Sequence, residues 1–354
     1  MRKFIVSIGV ITVLGLVASG CDSITDSSVT DQRVSSDHPV LAEGFGQGQG
    51  NANGQGVEAT TDGQCEDAGD TGLTAVYVNQ SLQGGSIDFA DHTCDMAIYF
   101  DENAPGNAFV RNVTVIQETG AGGLIMGIWN NGGEVTVSKS TFRTDVAGQY
   151  IPIRFENGAT GTISDNSLTG THRSGMVIRG EDTNVRIRGN SIAGSGAKSS
   201  GWAENGIQVD QGATASILNN TVEGHWWDGE SNWASTGIML FGSDHSAVTN
   251  NKLTDNEFSV IVFGDDNTVK GNRTNSKIIS ESSFEFRAWG ILVAGSNNDL
   301  SGNGLTATEG AAGIYIYSSS EGNKLTGNRI RGFEWPIVDG GEDTMARGNP
   351  SPAM

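Results

Sequence analysis

Proline is nearly missing from this chain, with six in 354 residues against 51 glycines. That balance argues against collagen and against proline-rich disorder. Lysine is also scarce, with seven in all, and the formal net charge is −20. A surface this acidic repels nucleic acid and anionic lipid, so neither is an expected partner. The same balance suits a salt-rich habitat. Five scattered histidines give no basis for a serine–histidine–acid set. Apolar content is modest but falls in short, regular bursts, the pattern of many short strands and few helices.

The chain opens on MRK, then FIVSIGVITVLGLVASG, then Cys21. A basic start, a short apolar core and small residues before a cysteine form an export signal over residues 1–20. Ala18-Ser19-Gly20 before Cys21 resembles a bacterial lipoprotein cleavage box, although Ala18 stands where Leu, Val or Ile is usual. The resemblance implies lipidation of Cys21 and anchoring in the cell envelope, at the outer membrane or cell surface. Losing Arg2 and Lys3 with the signal takes the charge from −20 to −22. Residues 21–64 are Ser, Thr, Asp, Gly, Gln and Asn with few apolar side chains, and read as a flexible tether. A coil of roughly 40 residues spans on the order of 35 Å, enough to clear lipid head groups. Only Cys65 and Cys94 remain after Cys21, a pair compatible with one disulfide in an exported protein. A metal site there is not expected, because His92 is the only further ligand nearby.

From about residue 110 onward the chain repeats itself: TISDNSLTG, VRIRGNSIAG, SILNNTVEG, AVTNNKLTD, TVKGNRTNS, DLSGNGLTA and KLTGNRIRG. Asn166, Asn190, Asn220, Asn251, Asn272, Asn303 and Asn328 fall in register, 21 to 31 residues apart, with Asn112 opening the series, Ser140 substituting once and Asn349 closing it. An asparagine at one corner of every coil can bond along a stack and tolerate the left-handed backbone of a sharp turn. Three residues before each stands Ile163, Ile187, Ile217, Val248, Val269, Leu300 or Leu325, which predicts a continuous inner core. This periodicity resembles the right-handed parallel β-helix of the pectate-lyase-like superfamily, over about residues 65–349. The expected fold is therefore all-β, a single-domain solenoid of about ten coils with an Asn ladder, ending in a tail at 350–354. As a guide to function the resemblance is weak, because many activities share this scaffold.

A second burst recurs as GMVIRG, GIQVDQG, GIMLFG, SVIVFG, GILVAG and GIYIYS, with YIPIRF one coil earlier. In the family this strand builds the sheet called the first, whose outer face lines the substrate groove of the enzymes. Alternation puts Arg154, Arg179, Asp210, Phe241, Phe263, Ala294 and Tyr317 in one outward column, and Pro152, Val177, Gln208, Met239, Ile261, Leu292 and Tyr315 in the other. GHWWDGESNWAST, residues 224–236, has no helical or strand period and reads as a loop beside this face. Trp202, Trp226, Trp227, Trp233, Trp289 and Trp335 all fall in such segments. Two outcomes are open: the rings fold over the apolar strip of Phe241, Phe263, Met239 and Ile261, or some stay open as platforms for sugar rings.

Arg154 and Arg179, with His172, Arg173 and Lys198 nearby, concentrate positive charge in an acidic chain. Guanidinium groups take carboxylates in two-pronged geometry, so a uronate-containing polysaccharide is the expected partner. In β-elimination a base removes the proton beside the carboxylate while a cation stabilises the developing charge; Arg154, Arg179, Lys198 and Asp210 are the catalytic candidates. His172, Arg173, Trp202, Trp226, Trp227 and Trp233 are the substrate-binding candidates. Asp210, Glu204 and Glu181 lie close enough in this reading to hold calcium. The competing reading makes Arg179–Asp210 a solvated bridge between neighbouring coils. Family motifs add nothing: no Gly-His-Gly, no pectate-lyase arginine motif and no epimerase signature occur, and Asp265-Asp266 reads as turn chemistry. The expectation is a monomeric envelope lipoprotein that binds, and in the sharper form cleaves, an acidic polysaccharide. The alternatives are a non-catalytic surface or adhesion protein and a periplasmic accessory factor. Missing Met/His clusters count against the last.

Overall fold

Each coil is built from three short strands, and each strand pairs in parallel with its counterpart one coil away. The computed structural model describes residues 56–61, 63–89, 93–117, 126–144, 150–170, 172–198, 203–228, 234–277 and 288–349. The signal segment, Cys21, Trp202, Trp233 and the tail at 350–354 lie outside the described residues. The first sheet runs through Met96–Asp101, Met126–Asn131, Ile151–Glu156, Ser174–Arg179, Asn205–Asp210, Thr236–Phe241, Phe258–Phe263 and Trp289–Val293. The second includes Thr160–Ser164, Asn184–Arg188, Thr214–Leu218 and Ala247–Thr249; the third includes Thr141–Thr144, Ser167–Gly170 and Thr221–Trp227. Coils begin before Cys65, because strand Val57–Ala59 already pairs with Leu82–Asp88.

Period-two alternation places every second side chain of a strand inside. Ile98, Ile128, Ile153, Met176, Ile207, Ile238, Val260, Ile291 and Ile314 stack in register and are fully buried. Each contributes about 1.5–3 kcal/mol on burial. Branched side chains suit this position because they pack on a pleated surface with little rotamer freedom to lose.

The ladder holds the corner between the second and third sheets. Asn190 Nδ2 donates to Asn220 Oδ1 at 2.9 Å and to the Ile163 carbonyl at 3.0 Å, while the Asn190 backbone N–H donates to the same Oδ1 at 2.9 Å. The pattern repeats through Asn251, Asn272, Asn303, Asn328 and Asn349. Two details differ from the expectation. The left-handed residue is not the ladder asparagine but the one before it, as at Asn219, Asn250 and Gly271. Asn112 is such a residue too, at φ 54°, so Val113 holds the first ladder position and donates its N–H to Ser140 Oγ. A second, shorter ladder joins Asn267, Asn298 and Asn323 at another corner.

Cys65 and Cys94 are joined by a disulfide, with Cα atoms 5.5 Å apart. It lies at the N-terminal end, where Glu66–Asp67 pairs antiparallel with Thr74–Val78.

Candidate functional site

The outer face of the first sheet carries two columns, and their register corrects the sequence reading. Arg154 pairs with Val177 and Glu156 with Arg179. The first column thus reads Tyr99, Trp129, Arg154, Val177, Gln208, Met239, Ile261, Leu292, Tyr315. The second reads Asp101, Asn131, Glu156, Arg179, Asp210, Phe241, Phe263. Arg154 and Arg179 do not share a column. The IR pairs of the two strands look alike, but Phe155-Glu156 is the counterpart of Ile178-Arg179.

Both guanidinium groups are paired. Arg154 Nε donates to Glu156 Oε2 at 3.0 Å, and its guanidinium carbon lies 5.3 Å from the centre of the Trp129 ring. Arg179 grips Asp210 with two bonds, 2.8 and 2.7 Å, and Asp210 is 1% exposed. Gln208 Nε2 also donates to Asp210, and its Oε1 accepts from Asn205 Nδ2 and Ser174 Oγ, both at 3.2 Å. The bridge is more buried than the solvated one expected. Glu156, which sequence reasoning passed over, pairs with Arg154 and precedes Arg179 in the second column.

The three carboxylates offered for calcium are engaged by other groups or exposed. Asp210 is held by Arg179 and Gln208, Glu204 accepts from Ser195 Oγ at 2.8 Å, and Glu181 is exposed. Among the described residues no three carboxylates, histidines or cysteines converge. Asp265 and Asp266 serve turns: Asp265 Oδ1 accepts the Ser296 N–H at 2.6 Å, and Asp266 has φ 56°.

The remaining candidates scatter. His172 is fully buried rather than facing a groove, and its Nε2 lies 3.0 Å from His225 Nε2. Asn256 Nδ2 donates to the Val222 carbonyl, so its Oδ1 is the acceptor for His225 Nδ1–H at 3.0 Å. His225 Nε2 therefore accepts from His172 Nε2–H. Burial, followed by the neighbouring His225, pushes His172 well below the ordinary histidine range, and burial lowers His225 to about 4. Arg173 is half-buried beside them, and Lys198 pairs through its backbone with Trp227.

Trp226 and Trp227 correct the loop reading. They end strand Thr221–Trp227 and are 0% and 4% exposed, so neither presents an open ring face. Met239 and Ile261 beneath the outer surface are buried as well. Farther along, rings lie edge to face or tilted in sequence: Phe241–Phe263 at 5.9 Å, Trp289–Tyr315 at 5.1 Å and Tyr315–Tyr317 at 5.1 Å. Phe241, Phe263, Tyr315 and Tyr317 are half-buried, and Trp335 is exposed. Burial and Tyr315 push the Tyr317 hydroxyl up to about 12.

Coils of this kind define a class. Residues 127–334, more than half of the chain, match the family described as right handed beta helix region, and the chain belongs to it. No curated protein matches the chain. It is similar to the catalytic domain of a GH87 alpha-1,3-glucanase in complex with nigerose, at 11% identity and TM-score 0.50, over 76% of this chain and 63% of that one. The chain thus spans less than two thirds of that glucanase domain. It is also similar to the surface protein and adhesin PfbA of Streptococcus pneumoniae, at 12% identity and TM-score 0.48, over 77% of this chain and 87% of that one. A third likeness is to the A-module of the mannuronan C-5 epimerase AlgE6 of Azotobacter vinelandii, at 14% identity and TM-score 0.32, over 81% and 93%. At these identities the likeness is one of fold.

Proposed function

We propose that the protein binds a polysaccharide along the outer face of its first sheet, held in the cell envelope by a lipid on Cys21. The observation behind this is the face itself, where half-buried Trp129, Phe241, Phe263, Tyr315 and Tyr317 adjoin a hydrogen-bonded guanidinium–carboxylate network. A pyranose ring has an apolar C–H face and a rim of hydroxyls, and these surfaces match both. Arg154 and Arg179 are each compensated by a carboxylate, so neither supplies net positive charge to select a uronate here. Binding is favoured over cleavage: elimination needs a base able to take a proton, and Asp210 is buried under two donors. The glucanase seen with nigerose is a precedent for a sugar on this architecture.

The experiment is a glycan array with the folded protein, followed by an absorbance assay for unsaturated uronate ends. Tyr315→Ala and Tyr317→Ala should each weaken glycan binding by about tenfold while the protein remains folded. Full binding by both variants would remove the aromatic face from the function. Cys21→Ser should move the protein from the detergent phase to the aqueous phase; a wild type already in the aqueous phase would sink the anchor.

A further inference from the structure

Six cations outside the first sheet gather at one place. They flank the ladder corner, on the far side of the coil from the aromatic face. In the second sheet the column just before the corner reads Arg188, Leu218, Thr249, Lys270, Ser301, Thr326, Arg347. A cation recurs at every third coil. In the third sheet the column just after the corner includes Lys252 and Arg273, on neighbouring coils, and Arg329 two coils further on. All six cations are exposed, and among the described residues none is in an ion pair.

From Arg188 onward the corner itself adds no opposing charge, although Asp165 holds the left-handed position one coil earlier. Its coils read RGNS, LNNT, TNNK, KGNR, SGNG, TGNR and RGNP, from Arg188 onward, without one Asp or Glu. This is unusual in a chain with 41 acidic and 21 basic residues. The left-handed position takes only Gly or Asn here, so nothing bulky stands between the two columns. Half-buried Ser301 and Thr326 leave the spaces between the cations low and polar. From Arg188 to Arg347 is six coil intervals of about 4.8 Å, a strip on the order of 29 Å long.

We propose that this strip is a binding site for a linear acidic polysaccharide lying along the solenoid axis. A polyuronate carries one carboxylate per sugar along an extended chain, and those returning to one side suit a line of cations on a convex corner. Arg188, Arg273, Arg329 and Arg347 can take carboxylates in two-pronged bonds, and Lys252 and Lys270 act as point charges. The overall charge of −20 does not cancel this attraction at contact, because salt screens charges beyond roughly 8–10 Å. An anionic bilayer is a poorer match: it offers a plane of charge, and the corner carries no aromatic wedge to enter it. The uronate preference read from Arg154 and Arg179 thus moves to a second surface, independent of the sugar-binding reading of the first sheet.

The test uses the full chain with immobilised polygalacturonate, at several salt concentrations, beside vesicles of phosphatidylglycerol. Wild-type protein should bind the polyuronate, with affinity falling steeply as salt rises. The triple variant Arg188→Gln, Lys270→Gln, Arg273→Gln should melt like wild type, bind at least about tenfold more weakly and lose about three charges' worth of salt dependence. Lys277→Gln removes a cation that pairs with Asp255 off the strip and should leave polyuronate binding unchanged, which separates the strip from a general effect of charge. Equal binding by the triple variant, or a loss in Lys277→Gln as large as in the triple variant, would overturn the proposal. So would wild-type protein that binds the vesicles and ignores the polyuronate.

Discussion

Asn251 makes the physics of one residue visible. Its Oδ1 accepts the backbone N–H and the amide of Asn220, while its Nδ2 donates to the Ile217 carbonyl and to Asn272. Leucine has a similar branched shape and none of these bonds. Asn251→Leu should therefore cost about 1–3 kcal/mol for each buried group left unpaired, read as a large fall in melting temperature. An unchanged melt would remove the ladder as a stabilising device. The buried His172–His225 pair predicts a pH dependence. His225 is lowered from 6.5 to about 4 by burial, so its neutral form stabilises the folded state. That contribution is complete above the unfolded value, and stability should fall as pH drops from about 6.5 towards 4, where the unfolded chain binds more protons. His225→Gln should flatten this part of a melting-temperature profile. A wild-type profile already flat between pH 6.5 and 4 would contradict the lowered values.

At the scale of an element, the first-sheet strands show why so many of them carry glycine at their second position. A Cβ on Gly206 would stand 2.4 Å from Val222 Cγ1 and 2.5 Å from the Gly237 carbonyl oxygen. Gly237 on the next coil and Gly290 two coils beyond it are similarly crowded, and Ser259 is buried in the coil between those two. The narrow corner between the third and first sheets leaves no room for a branched side chain. Gly206→Val should cost about 1–3 kcal/mol or more through overpacking, detected as a drop in the denaturation midpoint. Wild-type stability in this variant would mean that the corner yields easily. The strand Thr221–Trp227 gives a second lesson. Its extension past Glu223 pairs with Gly196, Ala197 and Lys198, and in this pairing Trp226 and Trp227 are buried.

A solenoid as a whole is stabilised by nearest-neighbour contacts, so its ends are where unfolding begins. At the N-terminal end the Cys65–Cys94 disulfide closes a separation of 29 residues around the first antiparallel pairing. A loop of this size limits the unfolded chain by about 3–4 kcal/mol in the entropy account. Cys94→Ser should lower the melting temperature and expose the N-terminal coils first to protease; equal resistance in both forms would show that the end is held by packing alone. The whole molecule also separates charge. Arg154 and Arg179 are paired with carboxylates on the first sheet, and six further cations line the ladder corner of a chain whose net charge is −20.

The coil period, the inward stack and the ladder were legible in the sequence because each is local. Alternation assigns Ile163 and Ile187 to the interior, and one recurring asparagine marks one recurring corner. What the sequence did not determine was how many residues each corner consumes, and hence which side chains lie over one another. That offset moved Arg154 out of the Arg179 column and set Glu156 beneath Arg179. It also brought His172 against His225, 53 residues away, and took Trp226 out of solvent. Such contacts depend on the summed path of the chain between coils and on competition for a closed interior, so only the tertiary structure decided them.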